Sequence, residues 1–226
     1  NGFYFDGTFY SINGKDFTAA GAGNLASWDC VSLVFSGTYF YYKYRTGAST
    51  VVHRTDDAFS ETQIPITGVD SGHLYFSHGN GLFFGVANDG ASNGNIVTSN
   101  DAGAWTAVQP VGREITEAWD FLYEPISGLY VIVSSEGNKI WTSSNGVAWN
   151  QRTLPTTGQF WRIAFGNGVF MLVSGRQSVT VLTSTDAVNW TVKNTLPEPG
   201  SWDSLAFADG VFVAHKPGTN PVAVSD

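Results

Sequence analysis

The chain has 226 residues, of which 13% are charged and 15% are aromatic, and it contains 26 glycines. This composition favours many short strands joined by tight turns over long solvated helices. The formal net charge is −8, from 11 Lys and Arg against 19 Asp and Glu. A nucleic-acid binder needs clustered positive charge to displace counterions from phosphates. No basic run occurs, so the sequence argues against DNA or RNA as a partner.

The single cysteine, Cys30, rules out an intrachain disulfide. It begins the apolar run 30–35 and is therefore predicted to be a buried core residue.

No segment approaches the ~20 apolar residues that a membrane-spanning helix needs, so we expect no membrane insertion. Residues 1–4 show neither an initiator Met nor a signal-peptide pattern, and we expect a processed product or an excerpt of a longer chain.

One motif recurs along the chain: a small polar residue, then Asn or Asp two positions on, often a Gly, and then an aromatic. The Asn or Asp positions are Asn13, Asp56, Asp101, Asn145 and Asp186. The closing aromatics are Phe17, Phe59, Trp105, Trp149 and Trp190, spaced 41 to 46 residues apart. A sixth copy begins at Val224. Self-similarity at a fixed period of this length predicts a repeat architecture.

Two further motifs keep the same period. The first is a turn ending in Gly and followed by an apolar strand, with its glycines at Gly2, Gly37, Gly81, Gly128, Gly168 and Gly210. Asn-Gly and Asp-Gly pairs favour positive φ and predict hairpins. The second motif precedes that turn and begins with Trp28, Trp119, Trp161 or Trp202, whereas the second repeat has His73 there.

Each period therefore predicts four strands: A from the Trp, B after the Gly turn, C leading into the Asn/Asp motif, and D after its aromatic. Four strands in about 40–45 residues is the size of one propeller blade. We predict one all-β domain over residues 1–226, a β-propeller of four-stranded antiparallel blades. Six B–C hairpins but only five A and five D strands leave five or six blades open; we favour an incomplete ring of six.

The Asn/Asp motif resembles the Asp-box, or BNR repeat, of sialidases and related propellers. The fuller pattern at 167–170, 183–186 and 189–191 is similar to a repeat of phage tail and tail-fibre propellers and of some bacterial surface proteins. The resemblance implies that the Asn or Asp side chain caps the C–D turn by accepting backbone N–H bonds, and that the aromatic packs between strands. These roles are structural. The first two copies depart from the family in having Phe for Trp, and the second and fifth lack the Gly.

The sequence offers no recognisable catalytic constellation. A sialidase site would need three converging arginines, and none of the six arginines lies in the Arg-Ile-Pro context typical of that family. Glu114, Glu117, Asp120 and Glu124 could supply a glycosidase's two carboxylates, but solvated loop acids explain them more simply. The four histidines are scattered and predict no metal site, and we expect no cofactor. We therefore predict that the chain is not an enzyme, with a surface-glycan hydrolase as a less favoured alternative.

A binding role is the alternative to catalysis. Strand A begins at one rim, where a Trp followed by a charged residue would recur in the pairs Trp28–Asp29, Trp119–Asp120, Trp161–Arg162 and Trp202–Asp203. An aromatic ring beside a hydrogen-bonding group suits a sugar, because the ring stacks on C–H groups while the polar group binds a hydroxyl. The competing interpretation, favoured by the regular spacing, is that these indoles wedge between blades.

These observations predict a recognition or adhesion module, such as the receptor-binding propeller of a phage tail fibre or other virion appendage. Its expected partners are a cell-surface glycan or protein and other virion proteins, and its expected location is extracellular or on a virion surface. The alternative is a structural module that assembles a larger particle.

Overall fold

The protein is described from a computed structural model. The structure describes residues 4–5, 9–11, 18–19, 30–44, 51–55, 61–69, 73–88, 94–108, 118–134, 138–175, 178–216 and 222–224. These residues form strands and turns without a helix. The all-β prediction is confirmed.

Within these described ranges, twenty-two strands form six antiparallel sheets in chain order. The first sheet holds β1 (Tyr4–Phe5), β2 (Phe9–Ser11) and β3 (Thr18–Ala19). The second holds β4 (Cys30–Phe35), β5 (Phe40–Tyr44), β6 (Val51–Thr55) and β7 (Glu61–Pro65), and the third holds β8 (His73–Gly79), β9 (Leu82–Asn88), β10 (Gly94–Ser99) and β11 (Thr106–Ala107). The fourth holds β12 (Ala118–Glu124), β13 (Leu129–Ser134), β14 (Lys139–Ser143) and β15 (Asn150–Thr153), and the fifth holds β16 (Phe160–Gly166), β17 (Val169–Ser174), β18 (Ser178–Ser184) and β19 (Thr191–Gly200). The sixth holds β20 (Ser204–Ala208), β21 (Val211–His215) and β22 (Val222–Val224).

The tight A–B turns explain why the strands fold back so regularly. Asn80, Asn167 and Asp209 adopt φ of 51°, 49° and 51°, and the glycine after each also has positive φ. Two consecutive residues with positive φ are typical of the turn that matches the right-handed twist of a hairpin. The hairpins predicted from these dipeptides are confirmed for β8–β9, β16–β17 and β20–β21.

The A strands lie innermost. Strand β4 contacts β8, β8 contacts β12, β12 contacts β16, and β16 contacts β20. In the second to fifth sheets the order from the inner strand outward is A, B, C, D. Four-stranded antiparallel sheets whose inner strands meet in succession are the blades of a β-propeller. Four sheets have this complete form, and the first and the last have three strands among the described residues.

The hydrophobic core lies between neighbouring sheets. In the third, fourth and fifth sheets the aromatic that closes the C–D turn packs against the sheet before it. Trp105 lies with Tyr41 and Val52 of the second sheet, and Trp149 lies with Phe84 and other residues of the third. Trp190 lies with Val131, Val133 and Ile140 of the fourth. Each indole thus joins two sheets, and such burial contributes about 25 cal/mol per Å² of apolar surface.

Candidate ligand-binding site at the hub

Two β-bulges position Trp119 and Trp161 on the inner strands β12 and β16. The region where the inner strands of the sheets meet is called the hub. In β12, Ala118 pairs with Ser134 and Asp120 pairs with Val133, so Trp119 is an extra residue. In β16, Phe160 and Arg162 pair with Ser174 and Val173, so Trp161 is extra in the same way. A bulge leaves one residue without a partner in the ladder and re-aims its side chain. The bulges thus turn both indoles out of the regular alternation of their strands.

The two indoles stack on each other. The ring centroids of Trp119 and Trp161 are 5.1 Å apart with an interplanar angle of 23°. A Cβ added at Gly175 would overlap the Trp161 ring, so that ring lies against the backbone of residue 175. Both Trp side chains are half-buried. Their Nε1 atoms are buried and have no hydrogen-bond partner among the described residues.

Through backbone carbonyls, Arg162 connects β12, β16 and the residue that precedes β20. Its Nη1 donates to the carbonyl oxygens of Trp119 at 3.0 Å and Trp161 at 2.8 Å. Its Nε donates to the carbonyl oxygen of Asp203 at 2.6 Å. The two Trp carbonyls belong to bulge residues, which have no partner in the β-ladder. The guanidinium therefore supplies hydrogen bonds to carbonyl oxygens that the neighbouring strand does not bond. The Arg162 side chain is thus largely occupied in holding the hub together.

Asp120 makes a second connection between β12 and β16. Its Oδ2 accepts a hydrogen bond from the backbone N–H of Ile163 at 2.9 Å, and its Oδ1 accepts one from Phe121 at 2.9 Å. Burial raises the pKa of Asp120 to about 6, and these two bonds and the positive charge of Arg162 oppose the rise. Asp120 therefore titrates near neutral pH while it joins β12 to β16.

Trp202 and Asp203 occupy a different register from the one that the sequence predicts. Phe207 pairs with Phe212 as Phe165 pairs with Phe170. Counting back along the strand from these pairs, Trp202 is equivalent in position to Phe160 of the fifth sheet. Asp203 is equivalent to the bulge residue Trp161. Trp202 is 0% exposed and donates its Nε1–H to the carbonyl of Glu198 at 3.2 Å. It offers no ring face to a ligand and instead packs between the fifth and sixth sheets.

The pair Trp28–Asp29 lies outside the described residues. In its sheet, Cys30 pairs with Tyr44 and Ser32 pairs with Lys43, so the bulge falls at Val31. Val31 therefore takes the register position of Trp161 in this sheet. Aligning the motif on its tryptophans missed these offsets. Counting back from the A–B turn would have found them.

The C–D turns are closed by the side chains that the sequence singled out, where those are described. Asp101 Oδ1 accepts N–H bonds from Gly103 at 2.9 Å and Ala104 at 2.8 Å. Asn145 Oδ1 and Asp186 Oδ1 accept the corresponding pairs at 2.7 to 2.9 Å. The bond from Asn189 in particular holds the pKa of Asp186 well below its usual range. Asn13 and Asp56, with the aromatics Phe17 and Phe59, lie outside the described residues.

The acidic residues considered for catalysis do not form a pair in the described part of the chain. The carboxylate of Glu124 is buried and accepts the backbone N–H groups of Ile126 and Ser127, each at 2.7 Å, so it closes the A–B turn of the fourth sheet. Glu114 and Glu117 lie outside the described residues.

Within the described ranges, no group of three or more His, Cys, Asp or Glu is placed to hold a metal ion, and no helix is long and apolar enough to cross a membrane.

No family model and no curated protein sequence matches this chain. Solved structures do match it. Virginiamycin B lyase from Staphylococcus aureus has a TM-score of 0.70 at 12% identity, over 87% of this chain and 66% of that one. A nidogen/laminin complex chain has a TM-score of 0.65 at 14% identity, over 87% and 75%. YCF48 from Cyanidioschyzon merolae has 0.57 at 16%, over 82% and 66%. This chain thus spans just under two thirds of the lyase's length, and the likeness shows a β-propeller fold.

These comparisons correct one prediction. The sequence led us to predict that the chain is not an enzyme, and the comparisons contradict this prediction, because the propellers that the chain matches include a lyase. Identities of 11 to 12% to the lyase structures show the fold alone and assign no catalytic residue to this chain. The comparisons also include a propeller in complex with a protein, so this fold serves both kinds of role.

Proposed function

We propose that this chain is a recognition module that binds a cell-surface glycan or protein at the mouth of its hub, which is the end of the hub where Trp119 and Trp161 stack. The observation that supports this is the stacked pair Trp119–Trp161, whose two indole N–H groups have no partner among the described residues. Buried donors without partners cost stability. Trp190 Nε1 in the core also has no partner among the described residues, so the support comes from finding two such donors together on a stacked pair of half-buried rings, where a ligand or ordered water can complete the hydrogen bonds.

The chemistry of the mouth suits a hydroxyl-rich ligand. Trp161 contacts both Trp119 and the backbone of Gly175, and we propose that the ligand covers the other face of Trp119. Asp203 Oδ1 is a buried acceptor without a partner among the described residues. An aromatic surface flanked by a few fixed donors and acceptors is the usual composition of a sugar site.

The cellular setting that we propose is the surface of a virion or another extracellular location. Its support is the resemblance of the repeat to those of phage tail fibres and bacterial surface proteins. A rigid propeller that displays its D–A and B–C loops at one rim is also suited to recognition, because loops on a rigid scaffold carry most binding sites. The proposal makes no statement about catalysis.

The test is binding of the purified chain to a glycan array and to host cells, with the native protein compared with Trp119→Leu and Trp161→Leu. We expect both substitutions to weaken binding by roughly 10-fold or more, since truncation of an aromatic anchor typically costs an interface 1 to 2 kcal/mol or more. Quenching of Trp fluorescence by the ligand should be smaller in both variants.

Phe35→Leu is the matched control. Phe35 is also an aromatic on an inner strand and is 50% exposed, but it ends β4 at the opposite rim, beside the A–B turn. Its replacement should leave binding unchanged. Native-like binding by a folded Trp119→Leu protein would place the ligand elsewhere, and absence of binding by the native protein to any glycan or cell tested would count against recognition altogether.

A further inference from the structure

Buried polar atoms without a partner are concentrated at the mouth of the hub. Five buried side-chain nitrogen or oxygen atoms have no hydrogen-bond partner in the described part of the chain. Four of these five lie at this end of the hub: Trp119 Nε1, Trp161 Nε1, Ser174 Oγ and Asp203 Oδ1. Ser174 belongs to this group because it precedes Gly175, whose backbone contacts the Trp161 ring. Since buried polar groups are normally hydrogen-bonded, the concentration indicates a place where a ligand supplies the missing partners.

Three of these atoms belong to residues at equivalent positions on successive inner strands. Trp119 and Trp161 are the bulge residues of β12 and β16, and Asp203 takes the register position of Trp161 just before β20. Strand β12 contacts β16, and β16 contacts β20. The three residues therefore lie at the same height around the hub, with Trp161 in the middle. A ligand at the mouth meets indole N–H donors on one side and a carboxylate acceptor on the other.

Arg162 gives the span between the two outer residues. Its Nη1 bonds to the carbonyl oxygen of Trp119 at 3.0 Å, and its Nε bonds to that of Asp203 at 2.6 Å. One carbon joins the two nitrogens through C–N bonds of about 1.33 Å. The two carbonyl oxygens are therefore at most about 8 Å apart. A planar three-atom group with one hydrogen bond at each end is thus large enough to connect residue 119 to residue 203.

An amide has this size and offers the complementary hydrogen bonds. In a trans amide the N–H and the C=O point in opposite directions from a planar N–C–O unit. The C=O can accept a hydrogen bond from an indole N–H, and the N–H can donate one to Asp203 Oδ1. A hydroxyl group bonds to both sides through a single oxygen, so it connects them only if they are about 6 Å apart or closer.

The charges around the mouth restrict the kind of sugar that carries the amide. Asp120 and Asp203 place two carboxyl groups around the single guanidinium of Arg162. An acidic sugar would bring a third negative charge to this site and be repelled. An uncharged acetamido sugar avoids this repulsion, and its C–H face can stack on the Trp119 ring.

We propose that the mouth of the hub recognises the acetamido group of an uncharged N-acetylhexosamine in a surface glycan. This inference rests on the proposed function and names the ligand of the same site. The sugar ring covers Trp119, the acetamido C=O accepts an indole N–H, and Asp203 Oδ1 accepts the acetamido N–H. Asp203 is then the residue that determines specificity.

The experiment follows the indole N–H signals of the isotope-labelled chain by NMR while methyl glycosides are added in matched pairs. Each pair differs only in acetamido against hydroxyl: N-acetylglucosamine and glucose, N-acetylgalactosamine and galactose, N-acetylmannosamine and mannose. Trp119→Leu and Trp161→Leu assign the two signals. We expect at least one acetamido sugar to shift both signals saturably, with a Kd roughly 10-fold or more below that of its hydroxyl twin, because a bond to a charged acceptor is lost in the twin. Equal affinities within every pair, or no shift by any acetamido sugar, would overturn the proposal.

Asp203→Ala tests the acceptor. The backbone N–H and C=O of residue 203 keep their bonds to His215 and Arg162 in this variant, so the hub should stay folded. The preference for the acetamido sugar over its hydroxyl twin should largely disappear, while weak stacking on the indoles remains. A preference that Asp203→Ala retains in full would contradict the assignment.

Asp209→Ala is the matched control. Asp209 is an exposed acid in the A–B turn of the sixth sheet, at the opposite rim. Its φ of 51° is close to the 63° of Ala102 and the 53° of Ala187, so the turn tolerates alanine. The acetamido preference should be unchanged in this variant.

Two further outcomes separate this inference from the proposed function. Glycan-array binding that depends on Trp119, with equal affinities within each sugar pair, would leave a recognition module that does not read the acetamido group. Absence of binding to every glycan and cell would overturn both proposals. Methyl glucosaminide is an additional arm, because tighter binding of this amine than of its acetamido form would show that Asp203 recognises an ammonium group instead.

Discussion

Arg162→Met is the most direct test of how the hub is held together. Methionine keeps an unbranched, largely apolar stem but removes the guanidinium that donates to the carbonyls of Trp119, Trp161 and Asp203. A hydrogen bond to a charged group contributes about 1.5 to 3 kcal/mol to stability. Because the side chain is half-buried and water can reach part of the site, we expect a total loss of about 3 kcal/mol rather than three full contributions.

The loss would be measured by urea denaturation followed by circular dichroism at pH 7. Arg152→Met is the control, because Arg152 is also half-buried and a single bond joins its Nε to Thr142 Oγ1 at 3.1 Å. Its loss should stay within about 1 kcal/mol. If Arg162→Met lowers the free energy of unfolding no more than Arg152→Met does, the guanidinium does not organise the hub and the reasoning fails.

Three further predictions concern Asp120, Asp186 and Gly175. Burial raises the pKa of Asp120 from 3.8 to about 6, so the native state binds a proton more tightly than the unfolded chain. Relative to Asp120→Asn, the native protein should therefore gain about 2 kcal/mol of unfolding free energy as the pH falls from 7 to 4; a pH-independent difference would contradict this. Asp186→Ala should destabilise the fifth sheet by about 1 kcal/mol in thermal melts. Asp186→Asn should destabilise it by less, because the amide oxygen can accept the two backbone N–H bonds as Asn145 does, while only the bond that Oδ2 accepts from Asn189 Nδ2 is lost. Gly175→Ala should displace Trp161 and abolish the coupled-indole signal in circular dichroism, whereas Gly158→Ala, whose added Cβ would meet Phe160 at an ordinary 3.5 Å, should leave it intact.

The repeat could be predicted from the sequence because its signals are local. Asn-Gly and Asp-Gly turns, such as Asn167–Gly168, fix a backbone with positive φ and therefore fix the hairpins. The Asn or Asp of the C–D turns bonds to backbone groups two and three residues away, so its role also depends on neighbours in the sequence. The four strands of each unit and their order follow from these short-range features.

The hub could not be predicted in the same way because it depends on register. One-residue bulges at Trp119 and at Trp161 bring these two rings together. A bulge cannot be predicted from residue type, because no residue type is specific to it. Without a view of the pairing, Trp202 looked equivalent to Trp161 although it occupies the register of Phe160. The hydrogen bonds of Arg162 join residues more than 40 positions apart, and only the folded chain brings them together.

The packing of Trp105, Trp149 and Trp190 has a consequence for how the protein is made. Each of these indoles is buried against the sheet that precedes it in the chain. During synthesis the earlier sheet emerges from the ribosome first, and nascent chains generally fold from the N-terminus onward. The third, fourth and fifth sheets can therefore each pack an indole onto a sheet that has already been synthesised, so this part of the protein can be assembled unit by unit while translation is still in progress.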